Sequence, residues 1–118
     1  MSVYFVAILQ EVVDAESQAE YGRRAFPHLA TTQAIPLASA LVKTGEAGRI
    51  YELNPALEEL GVKPLETIEG DAADGIGLFK FPNKKAFEEW YRSEEYQQVL
   101  PYRSKGSRCQ AFLVEGVD

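Results

Sequence analysis

The stretch "IGLFKFPNKKAFEEWYRS", residues 76–93, describes a strand that passes directly into a helix. Its first part, residues 76–81, is rich in apolar and aromatic residues that are typical of a strand. Asn83 follows and supplies a side chain that caps a helix N-terminus. Three aromatic residues then share one helical face through their spacing: Phe87, Trp90 and Tyr91. The stretch therefore predicts a β-α unit.

Two further elements are predicted near the N-terminus. The run "VYFVAIL", residues 3–9, is continuously apolar and predicts a strand covered on both faces. Asp14 caps a helix over residues 14–26, which weakens at Pro27. Residues 37–45 are predicted to form a second strand that ends at a glycine, and a helix over the same residues stays open as an alternative.

The middle of the chain behaves as an insertion over residues 46–62. Within it, "NPALEELG", residues 54–61, predicts a short helix with an asparagine cap, a proline at its first position and a glycine stop. The alternating "PLETIEG", residues 64–70, predicts a strand, and residues 71–75 predict a turn.

The C-terminal part of the chain is predicted to hold one more helix and one more strand. Residues 94–100 form a short helix that ends at Pro101, because proline has no backbone N–H to continue it. The basic "YRSKGSR", residues 102–108, is predicted to be a solvated loop. Residues 109–116 form the last strand.

This order of elements, β-α-β-(insert)-β-α-β, predicts an α+β, ferredoxin-like βαββαβ fold, with residues 1–118 as a single domain. The first strand is apolar on both sides, whereas two helices on one side of a sheet cover one face. Each large apolar side chain left in water costs about 1.5–3 kcal/mol. A second copy of the chain, packed sheet to sheet, removes that cost, so the sequence predicts a homodimer.

Composition excludes several classes of partner. The formal charge is −6 and the pI is about 4.8, which disfavours binding to nucleic acid. The N-terminal apolar run is too short to span a membrane and lacks the basic residues of a signal peptide. Cys109 is the one cysteine, so no intramolecular disulfide forms, and it is predicted to be a buried thiol in a strand. We therefore expect a cytoplasmic protein with neither a membrane nor a nucleic-acid partner.

Three segments carry a family resemblance: "IEGD" at 68–71, "LFKFPNKKAFEEWYRSEEYQQVLPYR" at 78–103, and the closing "FLVEG" at 112–116. They resemble the domain-of-unknown-function 1330 family of the dimeric α+β barrel superfamily. The resemblance implies a dimeric α+β barrel with pockets between the sheet and its helices, and it implies no common activity. The wider superfamily includes cofactor-independent monooxygenases, isomerases, cyclases and haem enzymes, which is an analogy of fold.

Five residues are candidates for lining the pocket: Tyr4, Glu69, Trp90, Tyr96 and Arg103. Glu69 and Arg103 are the catalytic candidates, since a carboxylate beside a planar guanidinium can polarise or orient a small polar ligand. The alternative for this pair is a structural ion pair with nothing bound. The helical spacing of Trp90 favours core packing over a pocket wall, and the Tyr4 side chain could face either the barrel or the pocket.

Three functions remain open. The first is the binding of a small organic molecule by an uncharacterised homodimer. The second is a cofactor-independent oxygenase, isomerase or cyclase acting on a small carbonyl or aromatic compound, with Glu69 as base and Arg103 stabilising an enolate or phenolate. The third is a structural or interaction module that uses the insertion. No cofactor or metal site is predicted, because the single histidine, His28, is expected to be exposed or capping.

Overall fold

The computed structural model describes all 118 residues. The strands are β1 (Val3–Val12), β2 (Ile35–Leu41), β3 (Val62–Lys63), β4 (Gly75–Phe81) and β5 (Ser107–Glu115). The helices are α1 (Ala15–Leu29), α2 (Gly45–Leu53), α3 (Lys84–Tyr91) and α4 (Glu94–Gly106). None of these helices combines the length and the apolar character that crossing a bilayer requires.

The strands form one sheet in the order β3-β2-β4-β1-β5. Strand β1 is antiparallel to both β4 and β5, β2 is antiparallel to β4, and the short β3 is parallel to β2. Helix α1 follows β1, and α3 and α4 follow β4, so the predicted ferredoxin-like α+β fold is confirmed. Helix α2 and strand β3 form the insertion between β2 and β4.

Helix α1 begins as the sequence predicts. The Asp14 carboxylate accepts hydrogen bonds from the backbone N–H groups of Glu16 and Ser17 at 3.2 and 3.4 Å. The structure adds a second acceptor from α2, because Glu46 Oε2 accepts from the Ala15 N–H at 2.9 Å. The first four N–H groups of a helix have no partner within the helix, and side chains satisfy three of them here.

Helix α4 continues through Pro101 to Gly106, so its predicted end at Pro101 is wrong. The residues beyond the proline are held in place because α4 packs along α1. The Gly106 carbonyl accepts from the Val13 and Asp14 N–H groups at 2.8 and 3.0 Å. A side chain at position 106 would place its Cβ 2.7 Å from the Gln18 nitrogen, so this close approach requires glycine. The predicted loop over residues 102–108 is therefore the last turns of α4 and the start of β5.

The insertion also differs from the prediction. The helix occupies Gly45–Leu53, and the predicted helix at 54–61 is a series of turns. Asn54 ends α2 rather than beginning a helix. Gly48 weakens the helical signal, but a Cβ there would lie 2.5 Å from the Lys43 carbonyl oxygen. Tertiary packing of Ala47 and Ile50, both buried, thus overrides the local preference.

The predicted strand at 64–70 is wrong, because these residues have no regular structure. Only Val62 and Lys63 pair with β2. The alternating pattern lacks a surface to pack against: Ile68 is 80% exposed and Leu65 is half-buried. Alternation without burial does not stabilise a strand.

The core consists of two separate groups of side chains. We call the first the aromatic cluster; it contains Val3, Phe5, Ala25, Leu29, Phe79, Phe81, Trp90, Tyr96 and Val99. The aliphatic cluster contains Val12, Ala15, Ala19, Leu41, Ala47, Ile50, Leu57 and Val62. Both clusters lie on the face of the sheet that the helices cover, which we call the inner face. Half of the aliphatic cluster comes from the insertion, so the insertion is part of the core.

The opposite face of the sheet, here called the outer face, is apolar and uncovered. The register places Tyr4 opposite Lys80 and Val6 opposite Leu78, on the side away from Phe5 and the core. Four large apolar residues on the outer side of β2 and β5 are about half exposed: Ile35, Leu37, Phe112 and Val114. No element of the chain packs on this face.

Candidate functional site

A cavity of about 120 Å³ lies on the inner face, where the aromatic and aliphatic clusters do not meet. One end of the cavity is lined by Phe5, Phe79 and Trp90 of the aromatic cluster. The other end is lined by members of the aliphatic cluster, among them Ile50 and Leu57. The cavity therefore occupies the gap between two halves of the core.

Small residues create this gap. The sheet register aligns Ser39 of β2, Gly77 of β4 and Ala7 of β1 in one row on the inner face, and all three line the cavity. Helix α1 covers the row with Ala19 and Gly22, which also line the cavity. The rows on either side contain phenylalanines or leucines, so only this row leaves unfilled space. We call it the small-residue row.

Three polar side chains meet at the aromatic end of the cavity. The hydroxyls of Tyr21 on α1 and Tyr96 on α4 are hydrogen-bonded at 3.0 Å. Arg103 Nη1 donates to the Tyr96 hydroxyl oxygen at 3.1 Å. The Arg103 guanidinium also lies 5.9 Å from the centre of the Tyr21 ring. Tyr21 and Arg103 line the cavity directly, and Tyr96 is completely buried behind them.

Burial keeps both phenols protonated. Loss of solvent raises the pKa of Tyr96 above its ordinary value of 10.0, and repulsion from Tyr21 raises it further. Burial likewise raises the pKa of Tyr21, although its hydrogen bond to Tyr96 acts in the opposite direction. Burial would lower the pKa of Arg103, but attraction to the oxygens of Tyr96 and Tyr21 outweighs it, so the pKa is raised. The cluster therefore combines two neutral hydroxyls with one cation.

Arg103 has no acidic partner. None of the ion pairs within 4.0 Å in the structure includes it. Among the residues that line the cavity, Arg103 is the one that carries a charge. A half-buried cation beside apolar walls is unfavourable unless an opposite charge or hydrogen-bond acceptors compensate it. The tyrosine hydroxyl supplies part of that compensation.

Two more polar groups near the cavity are unpaired. The Gln18 side-chain oxygen and the Trp90 indole nitrogen are buried without a hydrogen-bond partner, and both residues line the cavity. Trp90 is 5% exposed. Most buried polar groups are paired, so these two groups lack the hydrogen bond that buried polar groups usually make.

The structure brings together three of the five predicted pocket residues. Trp90 and Arg103 line the cavity, and Tyr96 bonds to Arg103. Tyr4 lies on the outer face, so its predicted place in the pocket wall is wrong. Glu69 is exposed in the irregular segment and does not line the cavity, so the predicted pairing of Glu69 with Arg103 is also wrong. The binding roles of the residues that do meet stay predictions.

Sequence reasoning missed the residues that α1 contributes, above all Tyr21 and Gln18. A signal for them existed in the spacing of Ala15, Ala19 and Gly22 along one helical face, since a face of small residues leaves room above the sheet. The alignment of Ala7 with Gly77 depends on strand register, which the sequence alone does not specify.

Two further residues differ in part from expectation. His28 is half-buried in the last turn of α1, with Nε2 3.8 Å from the Glu95 carboxylate and Nδ1 buried without a partner. Cys109 lies in β5 as predicted but is half-buried, and burial raises the pKa of its thiol, against the influence of Arg103. No group of three or more His, Cys, Asp or Glu side chains is placed to hold a metal ion.

Sequence comparison supports the resemblance found in the C-terminal half. The family described as "Domain of unknown function (DUF1330)" matches residues 61–117. The C-terminal part of this chain thus resembles DUF1330 proteins. The match includes β4, α3, α4 and β5, so Trp90, Tyr96 and Arg103 lie inside the DUF1330 region, whereas Tyr21 and Ala7 precede it. Among curated proteins, no sequence matches this chain significantly.

Solved structures share the whole fold at low sequence identity. The RPA0582 protein of Rhodopseudomonas palustris, described as being of unknown function, has a TM-score of 0.63 at 13% identity, over 99% of this chain and 83% of its own. SnoaB of Streptomyces nogalater, a cofactor-independent oxygenase, has a TM-score of 0.60 at 11% identity, over 99% and 94%. Rv0793 of Mycobacterium tuberculosis has a TM-score of 0.57 at 12% identity, over 100% and 97%. At such identities the likeness establishes the fold alone.

Proposed function

We propose that this protein is a homodimer that binds a small organic molecule in the cavity between its sheet and α1. One observation carries the proposal: an apolar cavity ends at a cation that has no acidic partner. Small-molecule sites typically combine mostly apolar walls with a few polar groups that orient the ligand. Arg103, Tyr21 and Gln18 are those polar groups here.

The cavity volume limits the ligand to the size of one ring or a short branched chain. An engineered apolar cavity of about 150 Å³ binds benzene. The present cavity is about 120 Å³, which is of the same order and suits an apolar group of up to one ring. The polar part of the ligand would extend towards Arg103.

The outer face supports the homodimer. Its half-exposed residues Ile35, Phe112 and Val114 lie, together with Val6 and Leu78, on four neighbouring strands of the uncovered sheet face. An exposed apolar surface of this extent is typical of an interface rather than of a monomer. A second copy offers the same apolar surface, which makes a two-fold sheet-to-sheet contact self-complementary.

A ligand panel tests the pocket. Small organic acids, amides, alcohols and hydrocarbons of one-ring size are screened against the purified protein by ligand-observed NMR and by thermal shift. We expect at least one class to bind the wild-type chain. Ala7→Leu should abolish that binding, because the larger side chain fills the small-residue row.

The control is Ala111→Leu, which enlarges the neighbour of Ala7 in β5 at a position that does not line the cavity. Binding should persist in this variant. If no compound of the panel binds the wild-type protein, or if Ala7→Leu binds as tightly as wild type, the cavity is not a ligand site. Ala7→Val, a smaller change, replaces Ala7→Leu should the leucine variant fail to fold.

A cofactor-independent oxygenase is the second candidate. Arg103 in an apolar cavity would stabilise the enolate or phenolate form of a substrate, and such an electron-rich anion is the species that reacts with dioxygen. No carboxylate or histidine lines the cavity to act as a base, so the substrate would have to ionise readily by itself. Dioxygen consumption on addition of acidic phenols or enols, lost in Arg103→Met, would support this candidate; its absence would exclude these substrates.

The interaction module is the weakest of the three functions. Its proposed contact surface, residues 46–62, contributes Ala47, Ile50 and Leu57 to the aliphatic cluster. Deleting that segment would remove part of the core, so a lost partner in that experiment would reflect unfolding.

A further inference from the structure

We infer that the ligand is a small monocarboxylate whose carboxylate is bound by Arg103 and whose apolar group occupies the small-residue row. This inference rests on the proposed binding function and specifies its ligand class. It follows from the balance of donors and acceptors around the cavity, from the charge of its lining and from its shape.

Donors exceed acceptors at the polar end of the cavity. A guanidinium has several N–H donors and no acceptor, and Arg103 uses one of them on Tyr96. Tyr21 and Tyr96 each have one O–H, and the bond between them uses one of the two. The other hydroxyl proton has no acceptor in the protein. The Trp90 indole N–H, another donor, is also unpaired. Against these donors stands one unpaired acceptor, the Gln18 side-chain oxygen, so unpaired donors still outnumber unpaired acceptors and the missing partner is on balance an acceptor.

The positive charge of the cavity lining favours an anion as that acceptor. The cavity is lined by no aspartate or glutamate, and Arg103 is its one charged residue. An ionised ligand group would neutralise the half-buried guanidinium, and charge-assisted hydrogen bonds are roughly twice as strong as neutral ones. A cationic ligand would instead face repulsion from Arg103.

The geometry favours a carboxylate over a larger anion. The planar guanidinium matches a planar carboxylate through two parallel N–H···O bonds. The remaining space is apolar and narrow, between Ala7 and Gly77 below and Gly22 above. A methyl group at Gly77 would approach the Phe79 ring to 3.0 Å, so the row has little spare room. A single ring or a short branched chain fits, whereas two fused rings do not.

The test compares a carboxylate with its neutral isostere. Dissociation constants of benzoate, benzamide and 1-naphthoate are measured by isothermal titration calorimetry or NMR at neutral pH, where carboxylic acids are ionised. We expect benzoate to bind at least about tenfold more tightly than benzamide, consistent with a charge-assisted pair. Naphthoate should bind at least about tenfold more weakly than benzoate, because the row excludes its second ring.

Variants separate the charge from the rest of the site. Arg103→Met should reduce the preference for benzoate over benzamide to about one. Arg103→Lys keeps the charge and should retain part of the preference, which distinguishes lost recognition from lost folding. Arg108→Gln is the matched control: it removes an arginine charge from β5 at an exposed position that pairs with Glu11, and it should leave the preference unchanged.

The outcomes distinguish this inference from the proposed function. If benzoate and benzamide bind equally tightly and Ala7→Leu abolishes the binding of both, the pocket is a ligand site that does not select carboxylates. That result overturns this inference and keeps the proposed function. A preference for benzoate that persists in Arg103→Met, or in Ala7→Leu, also overturns it, because the anion would then bind elsewhere. If neither compound binds while a hydrocarbon or alcohol of the panel does, the ligand class is wrong and the pocket stands. If nothing binds, both fail.

Discussion

The two faces of the sheet are built from similar apolar residues but have different surroundings. On the inner face, Phe81 is 1% exposed and packs edge-on against Phe87. On the outer face, Phe112 is 48% exposed and belongs to neither core cluster. The inner face is interrupted by the small-residue row, whereas the outer face carries Val6, Leu78 and Phe112 side by side across three neighbouring strands, with Lys80 in the next row.

The difference suits the inner face to binding a ligand and the outer face to binding another copy of the chain. An apolar face that helices cover is complete within one chain, so an unfilled space in it is available to a ligand. An apolar face that nothing covers is incomplete, so it is available to another copy of the chain.

The largest effect is expected from truncation in the aromatic cluster. Phe81→Ala should lower the free energy of unfolding by about 3–5 kcal/mol, because it removes a fully buried ring and leaves a cavity. Urea denaturation followed by circular dichroism measures this loss. The loss should be independent of protein concentration, since Phe81 lies within one chain.

Phe112→Ala is the matched truncation on the outer face. At low protein concentration it should cost about 1 kcal/mol or less, because the ring is already half exposed. The loss of stability should grow with protein concentration, because the dimer then forms and the truncation also removes contacts at its interface. Equal, concentration-independent losses for the two variants would mean that the faces do not differ in this way.

An intermediate effect is expected from a charge on the outer face. Phe112→Lys should weaken self-association at least about tenfold, because an ammonium group buried at an apolar interface loses its hydration. Light scattering after size exclusion should report a dimer for wild type and a shift towards monomer for the variant. Gln97→Lys, on an exposed position of α4, is the control and should stay dimeric. A wild-type protein that is monomeric at micromolar concentration would contradict the proposed interface.

The smallest effect is expected on stability at acidic pH, through the two carboxylates that accept hydrogen bonds at the N-terminus of α1. Hydrogen bonds from Ser17 lower the pKa of Asp14, and hydrogen bonds from the Ala15 N–H and Arg49 lower the pKa of Glu46. Because these folded-state pKa values lie below the unfolded ones, the stabilisation is complete above the ordinary values and is lost as the pH falls through the folded values. Stability should therefore decline modestly below about pH 4.

Asp14→Asn isolates that contribution. Asparagine still caps a helix but does not titrate, so the variant should show a shallower decline of the unfolding midpoint between about pH 5 and pH 2. A variant whose acid profile overlays that of wild type would show that the Asp14 carboxylate contributes nothing to the pH dependence.

Much of the fold follows from local sequence signals. The continuous apolar run of β1, the Asp14 cap of α1 and the Asn83 cap of α3 all lie where the residues predict. The errors occur where tertiary contacts outweigh local preferences. Packing along α1 carries α4 past Pro101, and packing into the aliphatic cluster forms α2 despite its glycines. Sequence patterns contain no direct record of such contacts.

The site was predicted in part for the same reason. Trp90, Tyr96 and Arg103 lie close together in the sequence, so their spacing on α3 and α4 indicates a common neighbourhood. Glu69 was assigned through a strand that does not form, because nothing covers residues 64–70. Tyr21 joins from a distant part of the chain, and its meeting with Tyr96 depends on how α1 crosses α4.

The continuation of α4 past Pro101 has a consequence for how ligand preference is encoded. Arg103 is carried by a helix, whereas the floor of the cavity is carried by β1 and β4. The group that would bind the ligand's polar end and the residues that would limit its size thus lie on different elements. A substitution can therefore alter one property and leave the other unchanged. Exchanging Ala7 or Gly77 would retune which chain length or ring is admitted without disturbing the anchor, so related proteins could diversify their ligands through the floor alone.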